Sequence, residues 1–199
     1  MEHEKQNTFD SLLRLYIGRE LRADGFKVAK SRTYTRPLPG WSQEVHLQRL
    51  RNGKFVFNLQ LNPDRVATGF LWTRYSEGRG DVLLGGYGSD SDFVQARDVY
   101  RTRISPWLNE VANEVPKFDA LTADALKGAG TQVGPFHLGR FQLLLLAHAR
   151  WREGRMQDAA DFARSTLEAT LPDGDKALAR EMLPQIEDGV PYEFRTVTA

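Results

Sequence analysis

Residues 44 to 62, EVHLQRLRNGKFVFNLQLN, alternate apolar and polar side chains on either side of an Asn-Gly pair. That pattern commits a chain to an antiparallel hairpin with one buried and one polar face, because a slip of one residue turns every side chain to the wrong side. A two-residue loop at Asn52 and Gly53 would set Phe57 against Gln48 and Leu59 against His46, which mixes the faces. A three-residue loop, Arg51 to Gly53 with Gly53 left-handed in a bulge, pairs Leu47 with Phe57 and Val45 with Leu59 and keeps the apolar face clean. The bulged register is therefore expected. It places His46 beside Asn58, Gln48 beside Val56 and Glu44 beside Gln60 on the other face.

Around this hairpin the periodicity changes. Phe9, Leu12, Leu13, Tyr16, Ile17 and Leu21 recur at helical spacing and Gly25 supplies the stop, so a helix is expected over residues 8 to 24. FKVAKSRTYTR (26 to 36) reads as the strand preceding the hairpin. VATGFLWTRY (66 to 75) and DVLLGGY (81 to 87) read as two more, joined by the turn SEGRG. SDSD (89 to 92) offers helix caps before Phe93, Ala96 and Tyr100, with a break expected at Pro106. Beyond it only helices are expected, over about 119 to 128, 136 to 153, 155 to 170 and 174 to 187. The fold class is α+β: an N-terminal helix packed on an antiparallel sheet of about five strands, then a helical C-terminal half. The expected division is a helix-plus-sheet domain over 1 to 110 and a helical subdomain over 111 to 199, packed on the first.

Basic and acidic residues nearly cancel, 27 against 26, so no overall field draws the chain to nucleic acid or anionic lipid. With no cysteine there is neither a disulfide framework nor a thiolate metal site, which fits a reducing compartment. The N-terminus lacks the cationic, then apolar, pattern of a signal peptide, and the apolar run LLLLAHA is far shorter than the roughly 20 residues of a membrane span. A cytoplasmic location and no membrane partner are expected.

The histidines at 3, 46, 137 and 148 show no metal-ligand spacing, and there is no nucleophile elbow. No metal and no cofactor is expected. His148 is expected as a hydrogen-bonded structural residue on a leucine-rich helix. GGYGSDSD (85 to 92) lies where a strand gives way to a helix, but it lacks the lysine of a phosphate loop and reads as a capping loop. Asp158 with Asp161, and Asp173 with Asp175, read as solvated faces and caps. Carboxylates assembled in space would make a hydrolase, the third functional reading. A strip of basic residues from Arg19 to Lys54 (Arg22, Lys27, Lys30, Arg32, Arg36, Arg49 and Arg51 between them) beside Tyr34 and Trp41 allows a nucleic-acid-binding alternative. The same lysines and arginines also serve to blunt strand edges. FQLLLLAHARWREGRMQDAADFARSTLEATLP (141 to 172) has the small residues and turn of one tetratricopeptide-like helix pair, with no second copy, and reads as a helical hairpin.

Gly25 and Phe26, the aromatic Tyr34, Gln48 late in the next strand and Asn58 in FVFN together resemble the bacterial family called domain of unknown function 4304, over about residues 5 to 110. The resemblance implies a helix-plus-sheet fold and a bacterial origin but no reaction. Compact domains of this kind often serve as immunity proteins beside secreted toxins. The expected function is accordingly a non-enzymatic protein-binding protein, an immunity protein that neutralises a cognate toxin by occlusion. The candidate partner-binding residues are His46, Gln48, Asn58, Gln60, Arg49, Trp41 and Trp72. Neutral amides suit directional hydrogen bonding to a partner, and tryptophan is enriched at interfaces.

Overall fold

The computed structural model describes the chain except residues 1, 52–53, 65–70, 74–81, 87–88, 129 and 194–199, with backbone alone for 2–8, 54, 71–73 and 82–86. Helix α1 (Glu2–Ala23) opens the chain. It ends as expected at Gly25, whose φ of 86° lets the Phe26 amide donate to the Leu21 carbonyl and the Gly25 amide to Arg22. Strands β1 (Lys27–Lys30), β2 (Thr33–Leu38), β3 (Trp41–Arg49) and β4 (Lys54–Pro63) then form an antiparallel meander.

This corrects the expected sheet of about five strands. The meander has four strands: the stretch read as one strand over 26 to 36 folds back at Ser31 and Arg32 into β1 and β2, and the two strands expected after the hairpin are reduced to short segments. Two short segments, β5 (Leu71–Thr73) and β6 (Val82–Gly86), hydrogen-bond to β4, with Phe57 opposite Val82 and Phe55 opposite Leu84. The hairpin turn at Asn52 and Gly53 and the turn SEGRG lie outside the described residues. Side-chain alternation nevertheless follows the bulged expectation. Val45, Leu47, Phe55, Phe57 and Leu59 are all buried in one cluster, whereas Gln48 and Asn58 share the opposite face and bond to each other.

Helix α2 (Asp90–Val99) lies with α1 over the buried face of the sheet. Phe9 of α1, Phe55 of β4 and Phe93 of α2 make a three-ring contact with centroids 5.4 to 5.7 Å apart, so helix, strand and helix close on one aromatic centre. Pro106 does not break the chain. A π-helical turn (Tyr100–Ile104) leads from α2 into α3 (Ser105–Glu114), and the wider turn absorbs the amide proton and space that proline denies an ordinary helix.

Gly18 is buried in α1 because Tyr34 lies against it: a Cβ there would stand 2.4 Å from the Tyr34 hydroxyl oxygen. Alanine improves helix propensity by about 1 kcal/mol, but overpacking costs about 1–3 kcal/mol. Gly18→Ala is thus expected to lower stability in urea denaturation. Less should be lost when Tyr34→Phe removes the clashing oxygen. A Gly18→Ala protein more stable than wild type would contradict this packing.

The chain divides into two compact units, Met1–Leu61 with Trp72–Ala112 and Asn62–Leu71 with Asn113–Ala199. In the second, a 3-10 turn (Val115–Ala120) and the short α4 (Ala123–Leu126) replace the helix expected over 119 to 128. Residues 131 to 138 form a small hairpin, β7 (Thr131–Val133) and β8 (Phe136–Leu138), so the helix expected from 136 begins only at Leu143. Helices α5 (Leu143–Arg152) and α6 (Met156–Glu168) form the expected antiparallel pair, turning at Gly154 with φ 75° and burying Ala147 and Ala159 completely. Helix α7 (Asp173–Glu187) packs on α6. Among the described residues no helix is long and apolar enough to cross a membrane.

Candidate functional site

The face of the sheet turned away from α1 and α2 carries the amides that set the hairpin apart. On it Gln48 is exposed, while Glu44, His46, Asn58 and Gln60 are half-buried. Asn58 donates through Nδ2 to Gln48 Oε1 at 2.9 Å. The pair keeps two Gln48 Nε2 protons and Asn58 Oδ1 unspent among the described residues, and Gln60 has no hydrogen-bond partner there. Val56, which shares this face, is 3 % exposed.

His46 stands directly across from Thr33 of β2, and its Nδ1 lies 2.9 Å from Thr33 Oγ1. Burial lowers the imidazole pKa, only partly countered by Glu44 and reinforced by Arg32, so the ring is neutral at pH 7. Its alignment is set by the strand pairing. Thr33 is 8 % exposed, so the ring is held by a near-buried hydroxyl.

Two other candidate residues are placed differently. Trp41 is 2 % exposed and so cannot serve as an exposed interface aromatic. The alternation that buries Val45 and Leu47 buries position 41 with them. Arg49 is half-buried at the end of β3. Trp72 belongs to β5, and its side chain lies outside the described residues.

Two members of the basic strip, Arg32 and Arg36, are engaged inside the fold, whereas Arg19, Arg22, Lys27, Lys30 and Arg51 are exposed. Arg32 pairs with Asp10 at 2.7 Å and lies over the Phe9 ring. Arg36 donates to Gln43 Oε1 through two nitrogens at 2.9 and 2.6 Å, to the Asp24 and Leu108 carbonyls, and to Asn109 Oδ1. Gln43, fully buried, donates in turn to the Leu108 carbonyl at 2.6 Å. Tyr100 closes the network by donating to Asp24 Oδ2 at 2.6 Å, and burial followed by that carboxylate pushes its hydroxyl pKa far up. Sequence reasoning missed this network. Its contacts to Tyr100 in the π-helical turn and to Leu108 and Asn109 in α3 span 65 to 76 positions, and a glutamine within a strand pattern was the one visible sign.

The anion-binding reading of GGYGSDSD also meets an obstacle. Asp92 Oδ2 accepts from the Ser89 amide at 3.1 Å and from its hydroxyl at 3.0 Å, and Asp90 accepts from Tyr16, so carboxylates already occupy the start of α2. Residues 87 and 88 of that loop lie outside the described residues. In the second unit Asp158 pairs with Arg155, and Asp161 with Arg164. Among the described residues no group of three metal-ligating side chains comes together.

His148 departs from expectation. It is 7 % exposed, but neither ring nitrogen has a hydrogen-bond partner. It meets the Tyr192 ring edge-to-face at 5.8 Å. Nearby, Trp151 donates from its indole to the Val190 carbonyl at 2.7 Å, fastening residues 190 to 192 onto α5.

No protein-family model, curated protein or solved structure matches the chain. The residues themselves therefore carry the functional argument.

Proposed function

We propose that the chain is a non-enzymatic protein-binding protein that receives its partner on the amide-bearing outer face of the β3–β4 hairpin. In this reading the partner is a toxin occluded in the bacterial cytoplasm, the role of an immunity protein. The observation that carries it is the Gln48–Asn58 pair. Each amide orients the other, so donors and an acceptor stand ready without the ordering cost a free side chain pays on binding. Half-buried Gln60, without a partner of its own among the described residues, extends the row. A polar group partly withdrawn from water gains from a complementary one.

Arg32 and Arg36 are spent internally, which weighs against a stacking strip for nucleic acid. The immunity role rests on analogy with compact domains of the family that the N-terminal half resembles.

The test is affinity capture of the tagged protein from its native host, with and without nuclease. One dominant nuclease-resistant protein, inhibited in its own activity when bound, is the expected result. Recovery that disappears with nuclease would overturn the reading in favour of nucleic acid. Capture of nothing, with activity found in a substrate screen, would overturn it in favour of an enzyme.

A further inference from the structure

A second surface of the N-terminal unit lies on its opposite side, where α1 and α2 run together. Leu15, Tyr16, Arg19, Glu20 and Ala23 form one wall of a groove between them, and Arg97 and Arg101 form the other. Three guanidinium groups face one carboxylate, and that carboxylate is committed: Arg101 grips Glu20 in a fork at 2.7 and 2.8 Å. Arg97 reaches only Asp98, at 3.5 Å, and its Nε is buried without an acceptor among the described residues. Arg19 is exposed and makes no ion pair there. Asp98 offsets Arg97, so the groove carries a surplus of one positive charge, at Arg19, which is unpaired among the described residues.

It is also apolar at one point. Leu15 is 60 % exposed, more than any other large aliphatic side chain among the described residues. Tyr16 is not available to stack on a base, since its ring lies against Phe93 at 6.3 Å and its hydroxyl donates to Asp90. A nucleic acid would find charge without a stacking platform. A peptide offers both a carboxylate and an aliphatic side chain.

We infer that the α1–α2 groove docks an acidic amphipathic segment of a protein partner, with carboxylates on Arg19 and Arg97 and an aliphatic side chain on Leu15. Helix-in-groove recognition of this kind needs an apolar anchor for affinity and complementary charge for register. This surface is separate from the hairpin's amide face, so either can fail without the other.

The experiment is fluorescence polarisation with a labelled helical peptide carrying glutamates at i and i+4 around a leucine. Its glutamine-for-glutamate counterpart and a single-stranded thymidine oligonucleotide serve as competing probes. The acidic peptide is expected to bind, to weaken steeply with added salt, and to lose about tenfold in affinity in Arg19→Gln and more in Leu15→Asp. Arg19 makes no ion pair among the described residues, so its variant should melt as wild type does. No binding, equal binding of the glutamine peptide, or unchanged affinity in both variants would overturn the inference. So would preference for the oligonucleotide, which would assign the groove to nucleic acid.

Discussion

Replacing Arg36 by alanine is expected to cost roughly 3 kcal/mol or more of folding stability, because it strips hydrogen bonds from acceptors that water reaches poorly. Arg36 serves β2, β3, the end of α1 and α3 at once, and its guanidinium also lies 4.8 Å from the Phe26 ring centre. Burial lowers its pKa, with the Asp24 carboxylate acting the other way, so the protein holds this cation against a desolvation cost. Arg36→Lys should recover little, since an ammonium cannot supply the planar fork that meets Gln43, Leu108 and Asn109 together. The informative variant is Arg36→Met, which keeps an apolar stem against Phe26 while Gln43 still donates to the Leu108 carbonyl, so it should be more stable than Arg36→Ala. Urea denaturation measures all three, and an Arg36→Ala loss below about 1 kcal/mol would show that the network carries no weight.

The second large effect is a loss of stability in mild acid that traces to His148. Burial alone lowers its pKa from 6.5 to about 4 in the folded chain. The unfolded chain binds a proton below pH 6.5, whereas the folded chain refuses it until about pH 4. Stability from this residue is therefore complete above pH 6.5 and is lost progressively as the pH falls towards 4. The full loss is about 3 kcal/mol. His148→Leu removes the proton-binding difference along with two unsatisfied ring nitrogens, so it should match or exceed wild type at pH 7. It should also flatten the stability profile across the same window. A wild-type and a His148→Leu protein with parallel profiles from pH 7 to pH 4 would contradict the burial of an uncharged imidazole.

The α+β class, the cap at Gly25 and the polar face of the hairpin were legible because each is written in local pattern: period 3.6, a glycine beyond the last apolar residue, period 2. The division of 26 to 36 into β1 and β2 was not, because Ser31 and Arg32 carry no glycine or proline to mark a turn. The β7–β8 hairpin does contain the signal Gly134-Pro135, but strands of three residues are too short for alternation to outweigh the helical run that follows. Trp41 was misplaced although the signal was there, since it shares parity with Val45 and Leu47. The Arg36 network and the α1–α2 groove lay beyond sequence reasoning for one reason. Their parts come from segments far apart in the chain, and only the packing of α2 and α3 beside α1 and the sheet brings them together.

That the hairpin's outer face is the protein-binding surface is tested most directly by titrating the captured partner into wild-type protein and into Gln48→Ala plus Asn58→Ala, each shown by melting to be folded. A loss of affinity of about tenfold or more is expected in the double variant, with Arg19→Gln included to show whether the groove contributes separately. Equal affinity of the wild type and the folded double variant would contradict it.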